Sequence, residues 1–113
     1  MVKLELKTNM GIENLTINRL DITSGQKSNI FINNATNCWI KCIESTRCNF
    51  AHIEINSSTN IEVSGSYMHG AFDHGNGGKA YGVMAHFTSG ECLITENQFD
   101  SLRHSMILQA GAN

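Results

Sequence analysis

The chain repeats itself with a period of 23 residues, and this limits the folds open to it more than any other feature. Ile30 and Ile32 recur as Ile53 and Ile55, and Cys38 and Ile40 recur as Ile61 and Val63. Asn37 recurs as Asn60, and the same step backwards lands on Asn14, just ahead of Leu15 and Ile17. A further copy, Cys92 and Ile94 after Glu91, lies 31 residues beyond Ile61 and Val63, as if eight residues had been inserted. Self-similarity at fixed spacing marks a repeat architecture, in which each unit buries its apolar face only against its neighbours.

Within a unit the apolar residues alternate with polar ones, which is the period of a strand. Each unit has room for two or three short strands and none for a helix. Val2, Leu4 and Leu6 alternate with Lys3, Glu5 and Lys7 in the same way. Alternation predicts one inward column of Leu15, Cys38, Ile61 and Cys92, and a second of Ile17, Ile40, Val63 and Ile94. Ile30 stacks on Ile53, and Ile32 on Ile55. Each such side chain, fully buried, contributes ~1.5–3 kcal/mol of transfer free energy. Asn14, Asn37 and Asn60 form a ladder at one turn, broken by Glu91 in the last copy. The repeat copies run near 15–37, 38–60, 61–91 and 92–113, with an inserted loop at 69–82, in a single partial domain. After that loop, alternation favours Val83, Ala85 and Phe87 as inward. One residue is then dropped from the following turn, which keeps His86 out of the core.

The ten glycines, the absence of proline and the Asn/Ser/Thr clusters between β-branched runs agree with strands joined by turns. A formal charge of −2 lacks the clustered Lys and Arg that nucleic acid demands. No apolar run approaches the ~20 residues of a membrane span, and MVKLELKTNMG has no signal-peptide core. Cys38 and Cys92 fall two rungs apart, roughly 9.6 Å, too far for a disulfide; they read as small buried hydrophobes. Cys42 and Cys48 match no metal or redox signature. The sequons at Asn14, Asn34 and Asn56 are by-products of Asn-rich turns. Gln109 to Asn113 resembles a turn with no capping element, so the chain reads as a piece of a longer solenoid. Its coil ends are left to be covered by missing coils or by self-association.

The two-strands-per-turn spacing, the Asn ladder and phrases such as Thr59-Asn60-Ile61-Glu62-Val63 and Glu91-Cys92-Leu93-Ile94-Thr95-Glu96-Asn97 resemble the right-handed parallel β-helix of the pectin-lyase-like superfamily. The resemblance implies an all-β, right-handed parallel β-helix solenoid of about four coils. It also implies a polysaccharide partner and an extracellular or cell-surface location. In the lyases of that superfamily a base removes the proton beside a uronate carboxylate, and Ca²⁺ or Arg neutralises the carboxylate. Arg103, His104 and Lys79 are the right residue types for those catalytic roles, and His69, Asp73, His74 and His86 for substrate contacts. Trp39, outward between Cys38 and Ile40 with Thr16 and Glu62 as neighbouring rungs, has the flat apolar ring that stacks on a sugar. Cys38-Trp39-Ile40-Lys41-Cys42 is similar to the Trp-Ile-Asp-His stretch of pectate lyases, with Lys41 and Cys42 replacing Asp and His. The resemblance leaves Ca²⁺ open as a cofactor although no motif for it is seen, and no His-Glu-x-x-His or Cys-x-x-Cys metal motif is present. Asp21, Asp73 and Asp100 are too scattered for the paired aspartates of the β-helix polygalacturonases, which disfavours two-carboxylate hydrolysis.

The expectation is a segment of a carbohydrate-active protein, polysaccharide lyase-like and acting on an acidic polysaccharide in a groove along the coils. The alternative is a non-catalytic adhesin, stalk or glycan-binding scaffold. The 23-residue spacing places His69, Asp73, His74 and Lys79 on one excursion from the wall, with Arg103 and His104 beside it one coil later.

Overall fold

The computed structural model describes residues 2–5, 8–22, 27–75, 78–86 and 89–109, with only the backbone at 3–5. Among them are no helices and thirteen strands: β1 (Val2–Glu5), β2 (Gly11–Glu13), β3 (Thr16–Asn18), β4 (Ile30–Asn33), β5 (Thr36–Lys41), β6 (Glu44–Cys48), β7 (Ala51–Asn56), β8 (Thr59–Ser64), β9 (Tyr67–Ala71), β10 (Tyr81–His86), β11 (Leu93–Thr95), β12 (Gln98–Asp100) and β13 (His104–Leu108). Every third strand joins the same sheet. Sheet A runs β1-β4-β7-β10-β13, sheet B β2-β5-β8-β11 and sheet C β3-β6-β9-β12. All described pairings are parallel. The chain is therefore a parallel β-helix of about four coils, with three strands to the coil.

The core is the stack of inward residues that the repeat predicts, with one correction. Ile30 and Ile32 pair with Ile53 and Ile55, which pair with Val83 and Ala85. Cys38 and Ile40 pair with Ile61 and Val63, and Val63 with Ile94. In the first coil, however, the step is 28, so Ile12 lies beneath Ile40. Ile17 pairs with Ser45 in sheet C, and Leu15 is 40% exposed. The five extra residues lie between β3 and β4, where a strict period of 23 does not count them. Leu15 and Ile17 imitate Cys38 and Ile40 because each apolar pair follows an asparagine.

That asparagine has a conformational cause. Asn9, Asn37, Asn60 and Glu91 share a left-handed backbone at one turn, with φ from 53 to 58°. Asn14, Cys42, Gly65 and Glu96 share it at the next, with φ from 55 to 62°. Asn tolerates this region better than other residues with a Cβ, so it recurs at two different corners. The Asn60 amide donates to the Asn37 side-chain oxygen, but the rung below Asn37 is Asn9, not Asn14, since Thr8 pairs with Thr36.

Corner N–H groups buried between coils find serine partners. Ser58 Oγ accepts from the Ala35 N–H at 3.1 Å, and Ser89 Oγ from the Ser58 N–H at 3.2 Å. At the next corner Ser66 Oγ accepts from the Ile43 N–H at 3.2 Å, and Asn97 Oδ1 from the Ser66 N–H at 3.0 Å. Leaving a buried N–H unpaired costs about 1–3 kcal/mol, so these ladders fix the corners as the isoleucines fix the walls. The four cysteines are free, and burial pushes the Cys48 thiol up to about 12.

The insertion comes in two parts. Ala71 pairs with Cys48 and Tyr81 with Ala51, so residues 72–80 replace the two-residue corner Asn49–Phe50. Between β10 and β11 one more residue is added rather than dropped, since the step is 30 for Ile53 to Val83 and 31 for Val63 to Ile94. Val83 and Ala85 face inward as expected. Phe87 lies outside the described residues, as do Leu6, Lys7, Asn76, Gly77 and the last four residues.

Candidate functional site

Because Val83 and Ala85 point inward, Met84 and His86 stand on the outer face of sheet A, and pairing brings Met84 against Glu54 one coil below. Phe50 at the corner meets Tyr81 edge to face, with ring centroids 5.6 Å apart. Phe50, Ala51, Tyr81 and Met84 form a small apolar cluster outside the main core, with Ile107 packed on it. Over it opens a cleft of about 430 Å³, lined by Phe50, Glu54, Gly78, Tyr81, Met84, His86 and Gln109. Gly78 brings the end of the inserted loop to the cleft's edge. Apolar and aromatic lining with a few polar groups is the usual composition of a ligand site.

The polar groups of the cleft are held from behind. Glu54 takes a hydrogen bond from Ser28 Oγ at 2.8 Å on one oxygen. His86 Nε2 lies 3.0 Å from the other. Both side chains are largely buried.

At the opposite end of the cleft Tyr81 meets the last coil. His104 pairs with Tyr81 across the sheet, and the two rings stack with centroids 5.7 Å apart. The Arg103 guanidinium donates to the Tyr81 hydroxyl at 3.4 Å. The backbone N–H groups of Arg103 and His104 both reach the Ala80 carbonyl, at 2.8 and 3.4 Å. Arg103 and His104 thus lie directly beside the end of the loop, as the spacing predicts.

Two loop residues tie the excursion down. Lys79 Nζ lies 2.7 Å from Asp73 Oδ2, while Asp73 Oδ1 accepts from the Gly75 N–H at 2.7 Å. Lys79 first, then the Gly75 N–H, holds the Asp73 carboxyl below its ordinary range. His74 Nε2 donates to the Ser101 carbonyl at 2.6 Å, which clips the loop onto the last coil.

The remaining expected residues lie elsewhere. His69 is not on the excursion: it belongs to β9 on the wall of sheet C. There its Nε2 sits 2.8 Å from Glu44 Oε2 and 3.2 Å from Thr46 Oγ1, with its ring stacked on Tyr67 at 4.2 Å. Partial burial, then the nearby Asp100 carboxylate, raises the Tyr67 hydroxyl. Trp39 faces outward on sheet B, with Gly11 rather than Thr16 as the rung below. The indole lies flat over Gly11, where any Cβ would come within 1.9 Å of Nε1, and Nε1 donates to Glu13 at 2.9 Å. Trp39 is thus on a different sheet from the cleft.

Glu54, Phe50, Tyr81 and Met84 were not singled out from the sequence. The insertion is the one signal, because outward positions in the coils flanking it border whatever cavity it opens, but it does not single out which of those positions do so. Among the described residues no group of three or more His, Cys, Asp or Glu is placed to hold a metal ion. Among the described residues no helix is long and apolar enough to cross a membrane. No protein-family model, curated protein or solved structure matches the chain.

Proposed function

We propose that the sheet A cleft binds an acidic polysaccharide and that the chain is a segment of a polysaccharide lyase-like protein. One observation carries this: a guanidinium and an imidazole, Arg103 and His104, both engage Tyr81 at the edge of an aromatic-floored cleft. Phe50, Tyr81 and Met84 close the floor of the cleft and are themselves nearly buried, 2–6% exposed, so the polar groups at its edge carry most of the contact with a sugar. Arg103 offers the planar fork that pairs with a carboxylate. His104 takes the proton from the carbon beside that carboxylate, an imidazole being suited to such transfer near neutral pH. The electron pair left behind forms a double bond to the adjacent carbon as the glycosidic oxygen departs, and that oxygen takes a proton from solvent water while the His104 imidazolium returns its proton to solvent. Lys79 takes no catalytic step, since Asp73 holds it; its work is to fix the loop.

A non-catalytic glycan-binding scaffold is the second reading. It draws on the pairing of Lys79 with Asp73 and of His86 with Glu54, which leaves fewer groups to act as base. Incubation with uronate oligosaccharides separates the two. The lyase reading expects binding and an ultraviolet-absorbing unsaturated product, both lost in Arg103→Ala. Binding without product favours the scaffold. Uronate binding unaffected by Arg103→Ala overturns both assignments of the site.

A further inference from the structure

One end of the cleft carries a guanidinium and an imidazole and the other a carboxylate paired with an imidazole, and this bears on which acidic polysaccharide fits. At the Tyr81 end stand Arg103 and His104. At the other end the floor carries Glu54, whose oxygens are 2.8 Å from Ser28 Oγ and 3.0 Å from His86 Nε2. Glu54 pairs with Met84, three residues along β10 from Tyr81, so the two ends are separated by about 10 Å along the strands. They also differ by two coils, because His104 is on β13 and Glu54 on β7, which adds about 9.6 Å across them. This exceeds the span of one pyranose ring, so the two ends address different rings of a glycan.

We infer that the cleft selects an alternating glycan, in which a uronate at the Arg103 end is joined to a sugar without a carboxyl group at the Glu54 end. The inference rests on the uronate reading above and narrows it. A second uronate would bring its carboxylate against Glu54, whose two oxygens are already engaged by Ser28 Oγ and His86 Nε2, in a partly desolvated setting. Like charges there repel more strongly than in open water. Burial keeps Glu54 from swinging away, since its side chain is 14% exposed and anchored by Ser28. A hydroxyl-bearing or amino sugar meets no such conflict. It can donate to the Glu54 carboxylate, to which sugar hydroxyls are good partners. Gln109 and the outward amides Asn33 and Asn56, in the same column as His86, extend a hydrogen-bonding row suited to an uncharged ring.

The test is a calorimetric titration of the whole chain with two oligosaccharides of matched length. One is a homopolymer of uronate; the other alternates uronate with N-acetylhexosamine. The expected result is at least tenfold tighter binding of the alternating oligomer, despite its lower charge. Glu54→Gln, which keeps the side-chain shape, should narrow that ratio by raising affinity for the homopolymer. Equal or tighter binding of the homopolymer by the unaltered chain overturns the inference while leaving the uronate reading standing. Binding of neither oligomer overturns both. The ratio in the unaltered chain decides the matter even if Glu54→Gln fails to fold.

Discussion

His52 Nδ1 lies 2.7 Å from Ser45 Oγ inside the solenoid, with no exposed surface on either residue. The tautomer follows from the partners. Nε2 is 2.9 Å from the Gly70 carbonyl, which can only accept, so Nε2 carries the proton and Nδ1 accepts from Ser45. Ser45 Oγ in turn accepts from the Asn29 amide at 2.9 Å. A Ser–His pair in such contact suggests a nucleophile, but sealed in the core it holds three coils together instead.

The buried ring makes stability depend on pH. Burial, the leading cause, lowers the His52 pKa from 6.5 to about 4. The unfolded chain therefore takes up this proton as pH falls through about 6.5, while the folded chain resists until about 4. The His52 contribution is complete above pH 6.5 and is lost as pH falls to about 4, on the order of 3 kcal/mol. Urea melts at pH 7 and pH 4.5 check this. His52→Asn should show a shallower fall between the two.

Ile40 is fully buried between Ile12 and Val63. Ile40→Asp should prevent folding, because an unpaired carboxylate would be sealed between coils. Ile40→Ala should fold but lose about 2–5 kcal/mol. Denaturant melts with Ile40→Asp close to the unaltered chain would contradict the inward columns.

Trp39 is the only tryptophan in the chain, so its fluorescence reports on its seat over Gly11. Gly11→Ala places a methyl group on the indole and should drive Trp39 off Glu13 into water. The emission maximum should shift to the red while far-ultraviolet dichroism stays that of a β protein. Unchanged emission would show that the ring does not lie there.

Cys42 holds a left-handed backbone, φ 55°, at the corner where neighbouring coils use Asn14 and Gly65. Cys42→Asn should stabilise the chain by up to about 1 kcal/mol, as Asn tolerates this conformation better. A raised thermal midpoint under reducing conditions is the expected outcome.

The walls of this fold are legible in the sequence because isoleucines recur where coils stack. The pairs Ile30–Ile53 and Ile40–Val63 follow from the period alone. The first coil is not legible in that way, since its length differs and Asn14 mimics Asn37. Both corners demand the same backbone conformation, so the same residue marks both. Arg103 and His104 could be placed beside the loop because a short corner recurs one coil above a long one. Glu54 could not, since a glutamate between two inward isoleucines looks like any solvent-facing strand residue. Only the 30-residue step that sets it against Met84 makes it part of a cleft. The period places His69 on the loop because it locates an insertion only to within a corner, whereas β9 extends to Ala71 before the chain departs.

The most direct test of the cleft is a residue-resolved NMR titration with an acidic oligosaccharide at neutral pH. If the cleft is the binding site, shifts concentrate at Tyr81, Met84, His86, Arg103 and His104, with Trp39 and His69 unmoved. Shifts centred on Trp39 or His69, or none across acidic glycans, would contradict it.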